Sequence, residues 1–289
     1  MSVPAVLPWH ADVLERVQGS LRASRLPTAF ALICPAGWGL VPLTARVVQR
    51  LTDLDPAIDP SELAHQDVRW IEPEGSVIKV DQIRKVNDFA VQTVQSAPRK
   101  VVAILEAERL NPNAANALLK MLEEPPPNTH LILATESWGQ LLPTIKSRCQ
   151  RFEVRPDRKM ALSWLQGEGL KVDNLKFAWL GYAPLAYTGT DDGLFAMLSE
   201  IEKGHLPALK DSGVSLVALL ACWYRSIIDR TARKIDEQEH ASAQSLQDFA
   251  EAVLDVRRQL AVSNAANENL LLESLISRWK KLGETSVKV

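Results

Sequence analysis

Ala29-Phe-Ala-Leu-Ile-Cys34-Pro35-Ala36-Gly37-Trp38-Gly39-Leu40-Val41-Pro42 is an apolar run halted abruptly by proline and glycine. Unbroken apolar character over five or six residues, without polar alternation, suits a strand buried on both faces, as in a parallel sheet. Similar runs recur at Asp67-Val-Arg-Trp-Ile71, Lys100-Val-Val-Ala-Ile-Leu105, His130-Leu-Ile-Leu-Ala-Thr135 and Gln150-Arg-Phe-Glu-Val154. Segments of helical period separate them. Over residues 80–94, Val80, Ile83, Val86 and Val91 are expected near one face. Asn111 is a good N-cap and Pro112 suits the first helical position, where a missing N–H costs nothing. Ala115, Leu118, Leu119 and Leu122 follow at i, i+3, i+4 and i+7, before Pro125-Pro126-Pro127 ends the helix. Strand and helix alternating in this way predict an α/β layered domain with a parallel sheet.

The first run ends where a phosphate-binding loop, GxxxxGK[ST], would sit. Such a loop needs glycines that let N–H groups face phosphate, a Lys for the β- and γ-phosphates, and a hydroxyl for Mg²⁺. Gly37 and Gly39 are present, but Cys34 replaces the first motif glycine, Leu40 the Lys, and Val41 the Ser/Thr. Pro42 deletes a further N–H. The third run repeats the pattern: Leu105 stands where an ATPase carries its metal-binding Asp, and only Glu106 remains. Alone, Glu106 reads as a solvated strand-end carboxylate rather than a catalytic base.

Composition narrows the classes. The 289 residues are 46% hydrophobic and 24% charged, ordinary for a soluble globular chain. A formal net charge of −2 provides no global field toward nucleic acid or an anionic membrane, so any DNA contact is local or supplied by a partner. Cys34, Cys149 and Cys222 are far apart, and the five histidines are equally scattered, so no metal and no disulfide framework is expected. No apolar run reaches the roughly 18 residues needed to span a bilayer, and Asp12 and Glu15 interrupt any leader-like segment. A reducing, cytoplasmic setting is the expectation.

Beyond Pro156 strand-like runs give way to helical spacing. Short helices broken at glycine are expected over 157–204, and longer ones over 213–233, 243–262 and 267–282. Leu272, Leu275, Ile276 and Trp279 share a stripe in the last, with Gly283 as its C-cap. The expected division is 1–156, 157–204 and 205–289.

Asn116-Ala-Leu-Leu-Lys-Met-Leu-Glu-Glu-Pro-Pro126, then Leu131-Ile-Leu-Ala-Thr135, then Ile145-Lys-Ser-Arg-Cys149 form an ordered string. His65-Gln-Asp67, Pro73-Glu-Gly75 and Ile78-Lys-Val-Asp-Gln-Ile-Arg84 precede it in order, and Asn264-Ala-Ala-Asn-Glu-Asn269 follows near the C-terminus. Together they resemble the clamp-loader subunits of bacterial DNA polymerase III, which are AAA+ proteins, and within them the delta-prime branch rather than the gamma/tau ATPases. The resemblance is strong over 65–152 and weak over 160–260.

It implies a RecA-like AAA+ three-layer domain with a parallel sheet and degenerate P-loop (1–156), a small helical lid (157–204) and an all-α collar for oligomerisation (205–289). It implies no cofactor and no ATP hydrolysis by the chain alone: Ala186 stands where ATP-binding relatives carry a sensor Arg, in addition to the losses at Leu40, Val41 and Leu105. Many relatives carry a four-cysteine zinc module, but residues 51–66 hold no cysteine. Thr135 sits at a sensor position and without ATP becomes a strand-end or cap residue. In Ser147-Arg148-Cys149 the resemblance assigns Arg148 as a finger acting in trans on a neighbouring subunit's ATP, with Ser147 and Cys149 as motif context. The alternative for Arg148 is a surface ion pair with a nearby carboxylate; Cys149 reads as packing. Implied partners are gamma/tau-type ATPase subunits and a delta-type subunit in a pentameric loader, the sliding clamp, and primed DNA through the assembly. Trp279 and the leucines beside it are the expected collar contact. Arg84, Lys85, Arg99 and Lys100 either face a central chamber or are solvated helix ends. The competing function is a gamma/tau-like ATPase with an atypical P-loop.

Overall fold

The computed structural model describes residues 6–55, 65–189, 192–209, 213–262 and 267–286. Contacts group them into two compact units, 1–167 and 168–289. In the first unit a 3-10 turn Pro8–His10 leads into α1 (Ala11–Arg22), β1 (Ala29–Ile33), α2 (Leu40–Thr52), β2 (Val68–Ile71), α3 (Val80–Ala90) and β3 (Lys100–Ile104). A 3-10 turn at Ala107–Arg109 precedes α4 (Pro112–Glu123), β4 (Thr129–Thr135), α5 (Pro143–Lys146), β5 (Gln150–Glu153) and α6 (Arg158–Gly167).

All five expected strands form, and every pairing is parallel, in the order β2-β3-β4-β1-β5. β1, between β4 and the edge strand β5, pairs Ala29 to Ile33 with Leu131 to Thr135 on one side and Phe30 to Ile33 with Gln150 to Glu153 on the other. Every residue of β1 and β3 is buried, which explains the absence of polar alternation. Ala29, Ala31, Ile33, Val102, Ile104, Leu131 and Leu133 pack with Ile83 and Val86 of α3 and Leu118 and Leu122 of α4. α2 packs on β1, β3 and β4, and α1 on β5. Each fully buried aliphatic side chain contributes about 1.5–3 kcal/mol.

The Asn111 cap forms as its chemistry requires: Oδ1 accepts the Ala114 N–H at 2.8 Å. One expectation fails in α3. Val91 is 76% exposed, because the helix stops at Ala90 and the buried stripe is Ile83, Val86, Phe89 and Ala90. Position 91 lies about 100° around from 90.

The second unit contains α7 (Asn174–Trp179), α8 (Pro184–Gly189), α9 (Asp192–Glu202), α10 (Leu216–Asp236), α11 (His240–Val262) and α12 (Glu268–Ser286). Trp179, Leu180, Leu194, Phe195, Leu198 and Ile201 share one core with α10, α11 and α12. Its centre is an aromatic trio, with ring centroids 5.2 Å apart for Trp223–Phe249, 5.8 Å for Trp223–Trp279 and 5.2 Å for Phe249–Trp279. Two corrections follow. Leu272, Leu275, Ile276 and Trp279 face their own chain's core, where α10 and α11 supply matching apolar surface, so they are not an open contact face. Nor does Gly283 end α12, which continues to Ser286. Residues 264–266 of the Asn264–Asn269 string lie outside the described residues, as do residues 56–64 of the segment considered for zinc.

Candidate functional site

In open α/β sheets ligands bind beyond the carboxyl ends of the strands, at the crevice where strand order reverses. Here that place is beyond β1, and residues 34–42 occupy it. The loop starts on the sheet, with Cys34 N–H donating to the Thr135 carbonyl at 3.1 Å, and closes a turn through Trp38 N–H to the Pro35 carbonyl at 3.0 Å. Gly37 and Gly39 have φ of 74° and 89°, values that favour glycine, and Gly39 leads straight into α2. The two glycines thus carry the chain from the sheet end into α2 in a tight turn.

Its side chains serve another purpose. Trp38 is 2% exposed, and its ring meets Trp9 edge-on at 5.3 Å; Trp9 in turn meets Trp164 at 5.4 Å. The Trp38 carbonyl accepts two side-chain donors, Trp9 Nε1–H at 2.7 Å and His10 Nε2 at 2.8 Å. A carbonyl only accepts, so His10 carries its proton on Nε2. Residues 34–42 contain neither a cation nor a hydroxyl. The nearby Thr44 hydroxyl is buried and donates to the Leu40 carbonyl one turn back at 2.8 Å.

Burial pushes His10 down to about 4, with the bond to Trp38 opposing slightly. An unfolded histidine protonates near 6.5, so between these values the unfolded chain binds the extra proton and stability falls as pH drops. The full difference amounts to about 3 kcal/mol. Urea unfolding at pH 7 and pH 4.5 should show His10→Gln, an uncharged donor, losing on the order of 2 kcal/mol less than the unmodified chain. Equal losses would remove His10 as the source.

Leu105 is 2% exposed, and its N–H extends the sheet to the Ile71 carbonyl at 2.9 Å. Glu106 turns out in a left-handed conformation (φ 46°) at the strand end, where its 40% exposed side chain pairs with Arg109 at 2.6 Å. Burial, then Glu108 and Glu106, raise the Glu136 carboxyl. Thr135 is buried, and its Oγ1 accepts the Ser137 N–H at 3.1 Å, capping the strand end. Among the described residues no His, Cys, Asp and Glu grouping suits a metal ion.

Ser147 closes α5, Arg148 lies between α5 and β5, and Cys149 leads into the sheet. Cys149 packs in the core and burial pushes its thiol up to about 11, which leaves it unreactive at neutral pH. Arg148 points outward and donates to the Glu123 carboxylate, to the Thr144 carbonyl at 2.9 Å and to Ser147 Oγ at 3.2 Å. The loop and Arg148 are separate features of the first unit. Ala186 lies in α8 of the second.

The four basic residues divide sharply. Lys100 is 1% exposed, with Nζ donating to the Phe89 carbonyl at 2.8 Å and lying 4.6 Å from that ring's centre. Burial lowers its pKa, and Asp67 partly restores it. Lys100 is thus a core residue. Burial by itself would raise Asp67, but the N–H groups of Ala97, Ser96 and Gln95 outweigh it and hold Asp67 below the usual carboxylate range. Arg99 binds the Leu51 carbonyl at 3.0 Å, whereas Arg84 pairs with Asp81 at the surface and Lys85 is exposed.

Two features were invisible to local spacing. The hold of Trp9 and His10 on Trp38 spans 28–29 positions with no periodic signal. Glu123 stood inside the quoted string, but nothing local linked it to Arg148, 25 positions away.

A family profile described as "DNA polymerase III, delta subunit" matches residues 9–158. The chain is 37% identical over 174 residues to "DNA polymerase III subunit delta'" of Pseudomonas aeruginosa, covering 55% of this chain and 52% of that one. It is 44% identical over 176 residues to the protein of the same name from Haemophilus influenzae, covering 57% and 54%. The chain thus spans about half the length of the curated relatives it matches. In fold it is similar to a DNA polymerase III gamma subunit-related protein of Thermotoga maritima, with a TM-score of 0.60, 21% identity, and coverage of 93% of this chain and 99% of that one.

Proposed function

Since the chain belongs to the DNA polymerase III delta-subunit family, in its delta-prime branch, we propose that it is a non-hydrolysing subunit of a clamp loader. It would help to place a sliding clamp on primed DNA in the cytoplasm, beside gamma/tau-type ATPase subunits and a delta-type subunit in a five-membered ring. One contrast carries the reading: a loop with no cation and no hydroxyl sits on the same domain as Arg148, a permanently charged, partly exposed guanidinium held at the surface by Glu123. A domain that cannot hold its own triphosphate can still complete a neighbour's site.

Trp38, buried and bonded at its carbonyl, supports this reading. These contacts fix the loop to Trp9 and His10, and none of them offers a charge to phosphate or a ligand to a metal ion. We divide the roles as 1–156 for the degenerate AAA+ domain, 157–204 for the lid and 205–289 for the collar, a division by task rather than by contact. For the collar contact we assign the outer side of α10, where Val217, Ile228 and Ile235 are 44%, 40% and 51% exposed and recur on one helical side.

The deciding measurement is equilibrium binding of ATP with Mg²⁺ to the isolated chain, followed by calorimetry. No binding up to about 1 mM is expected, because the charge and metal contacts of a phosphate loop are missing. Micromolar affinity would overturn the proposal in favour of a gamma/tau-like ATPase with an atypical P-loop. A kinase-like enzyme on a decayed loop leaves Ser147-Arg148-Cys149 and the helical second unit without a role.

A further inference from the structure

Arg148 is already occupied by its own chain. Nε donates to Glu123 Oε1 at 2.9 Å, Nη2 donates to the same oxygen, and Nη1 donates to the Thr144 carbonyl at 2.9 Å and Ser147 Oγ at 3.2 Å. A guanidinium has five N–H donors. With four spent, no edge keeps two for a forked bond to phosphate. To act on an anion elsewhere, the group must first leave Glu123.

The placement of Glu123 strengthens the point. It is the last residue of α4 and is followed by Glu124, so two acids stand where the helix presents its partial negative charge. Helix electrostatics favour a cation there, not a carboxylate. Glu123 gains nothing from its own helix; its gain comes from Arg148.

We infer that Glu123 is a latch on Arg148, a positioning residue that holds the guanidinium against its own domain until the γ-phosphate of a neighbouring subunit's nucleotide outcompetes it. The inference rests on the trans-acting role proposed above. The latch is weak by design of its setting: the side chains of Arg148 and Glu123 are 34% and 50% exposed. A pair this open favours the closed form by about 2–5-fold. A triphosphate carries more charge than a carboxylate and offers an in-plane fork partner, so engagement releases the latch without a large barrier.

The test is Glu123→Gln in a reconstituted loader, which keeps volume and removes charge. At about 50 mM salt the ATP concentration for half-maximal hydrolysis at the adjoining site should fall by about 2–5-fold with kcat unchanged. The difference should shrink as salt rises, and Glu123→Asp, which keeps the charge, should behave closer to the unmodified chain. In an Arg148→Ala background Glu123→Gln should have no effect. An unchanged or increased half-maximal concentration overturns the latch and leaves the finger standing. If Arg148→Ala itself has no effect, the trans-acting role fails and the latch falls with it. Independently, NMR of the full chain should show faster exchange of the Arg148 Nε–H in Glu123→Gln. Unchanged exchange means that the pair does not hold Arg148 in solution, which also overturns the latch.

Discussion

Arg148→Ala is expected to slow hydrolysis at the adjoining subunit's site by about 10³-fold or more, equivalent to about 4 kcal/mol of transition-state stabilisation. The size follows from the chemistry of phosphoryl transfer, in which charge spreads over oxygens that a forked cation stabilises better in the transition state than in the ground state. Arg148→Lys should recover only part of the loss, since an ammonium is a point charge without the fork. Other sites in an assembly would mask the defect in a bulk rate. The informative measurement is therefore single-turnover hydrolysis with those sites silenced. Hydrolysis at the unmodified rate in Arg148→Ala would remove this residue from the mechanism. Stability should be nearly untouched, because Arg148 is at the surface and exposed ion pairs contribute at most about 1 kcal/mol.

The second large effect lies in the helical unit. Trp223→Ala should destabilise it by about 3–5 kcal/mol, a large part of the 5–15 kcal/mol typical of a domain. Trp223 is fully buried and touches both Phe249 of α11 and Trp279 of α12, so its removal opens a cavity where three helices meet. Trp279 also donates Nε1–H to the Glu202 carbonyl at 3.0 Å, which ties the end of α9 into the same centre. Trp223 Nε1 is buried without a hydrogen-bond partner. Trp223→Phe should therefore cost less than about 1.5 kcal/mol, since it discards an unsatisfied donor along with some volume. Urea unfolding followed by far-ultraviolet circular dichroism separates the two variants. A loss below 1 kcal/mol in Trp223→Ala would show that the trio does not organise the unit.

Much of the first unit was legible from local pattern. Runs such as Ala29 to Cys34 are apolar on both faces because helices cover both, and Asn111-Pro112 caps and starts α4 by its own side chain and ring. The irregular positions were not legible. Val91 looked like part of a stripe until α3 ended one residue before it, and Gly283 looked like a stop although α12 runs past it. Both errors have one origin: helix ends depend on what the next segment packs against as well as on the terminal residues.

At the candidate site the division is sharper. The chain's own residue types established that the loop has no Lys and no hydroxyl, that the third strand run ends in Leu105 and Glu106, and that one arginine stands in a Ser-Arg-Cys string, because identity at a fixed spacing is a local property. Packing established the rest: Trp38 turned inward under Trp9 and His10, Trp279 faced its own core, Lys100 buried on Phe89, and Arg148 was held by Glu123. Those pairs lie between 11 and 77 positions apart where bonds join them. No helical or strand period reaches that far, so only the meeting of distant surfaces could bring them together.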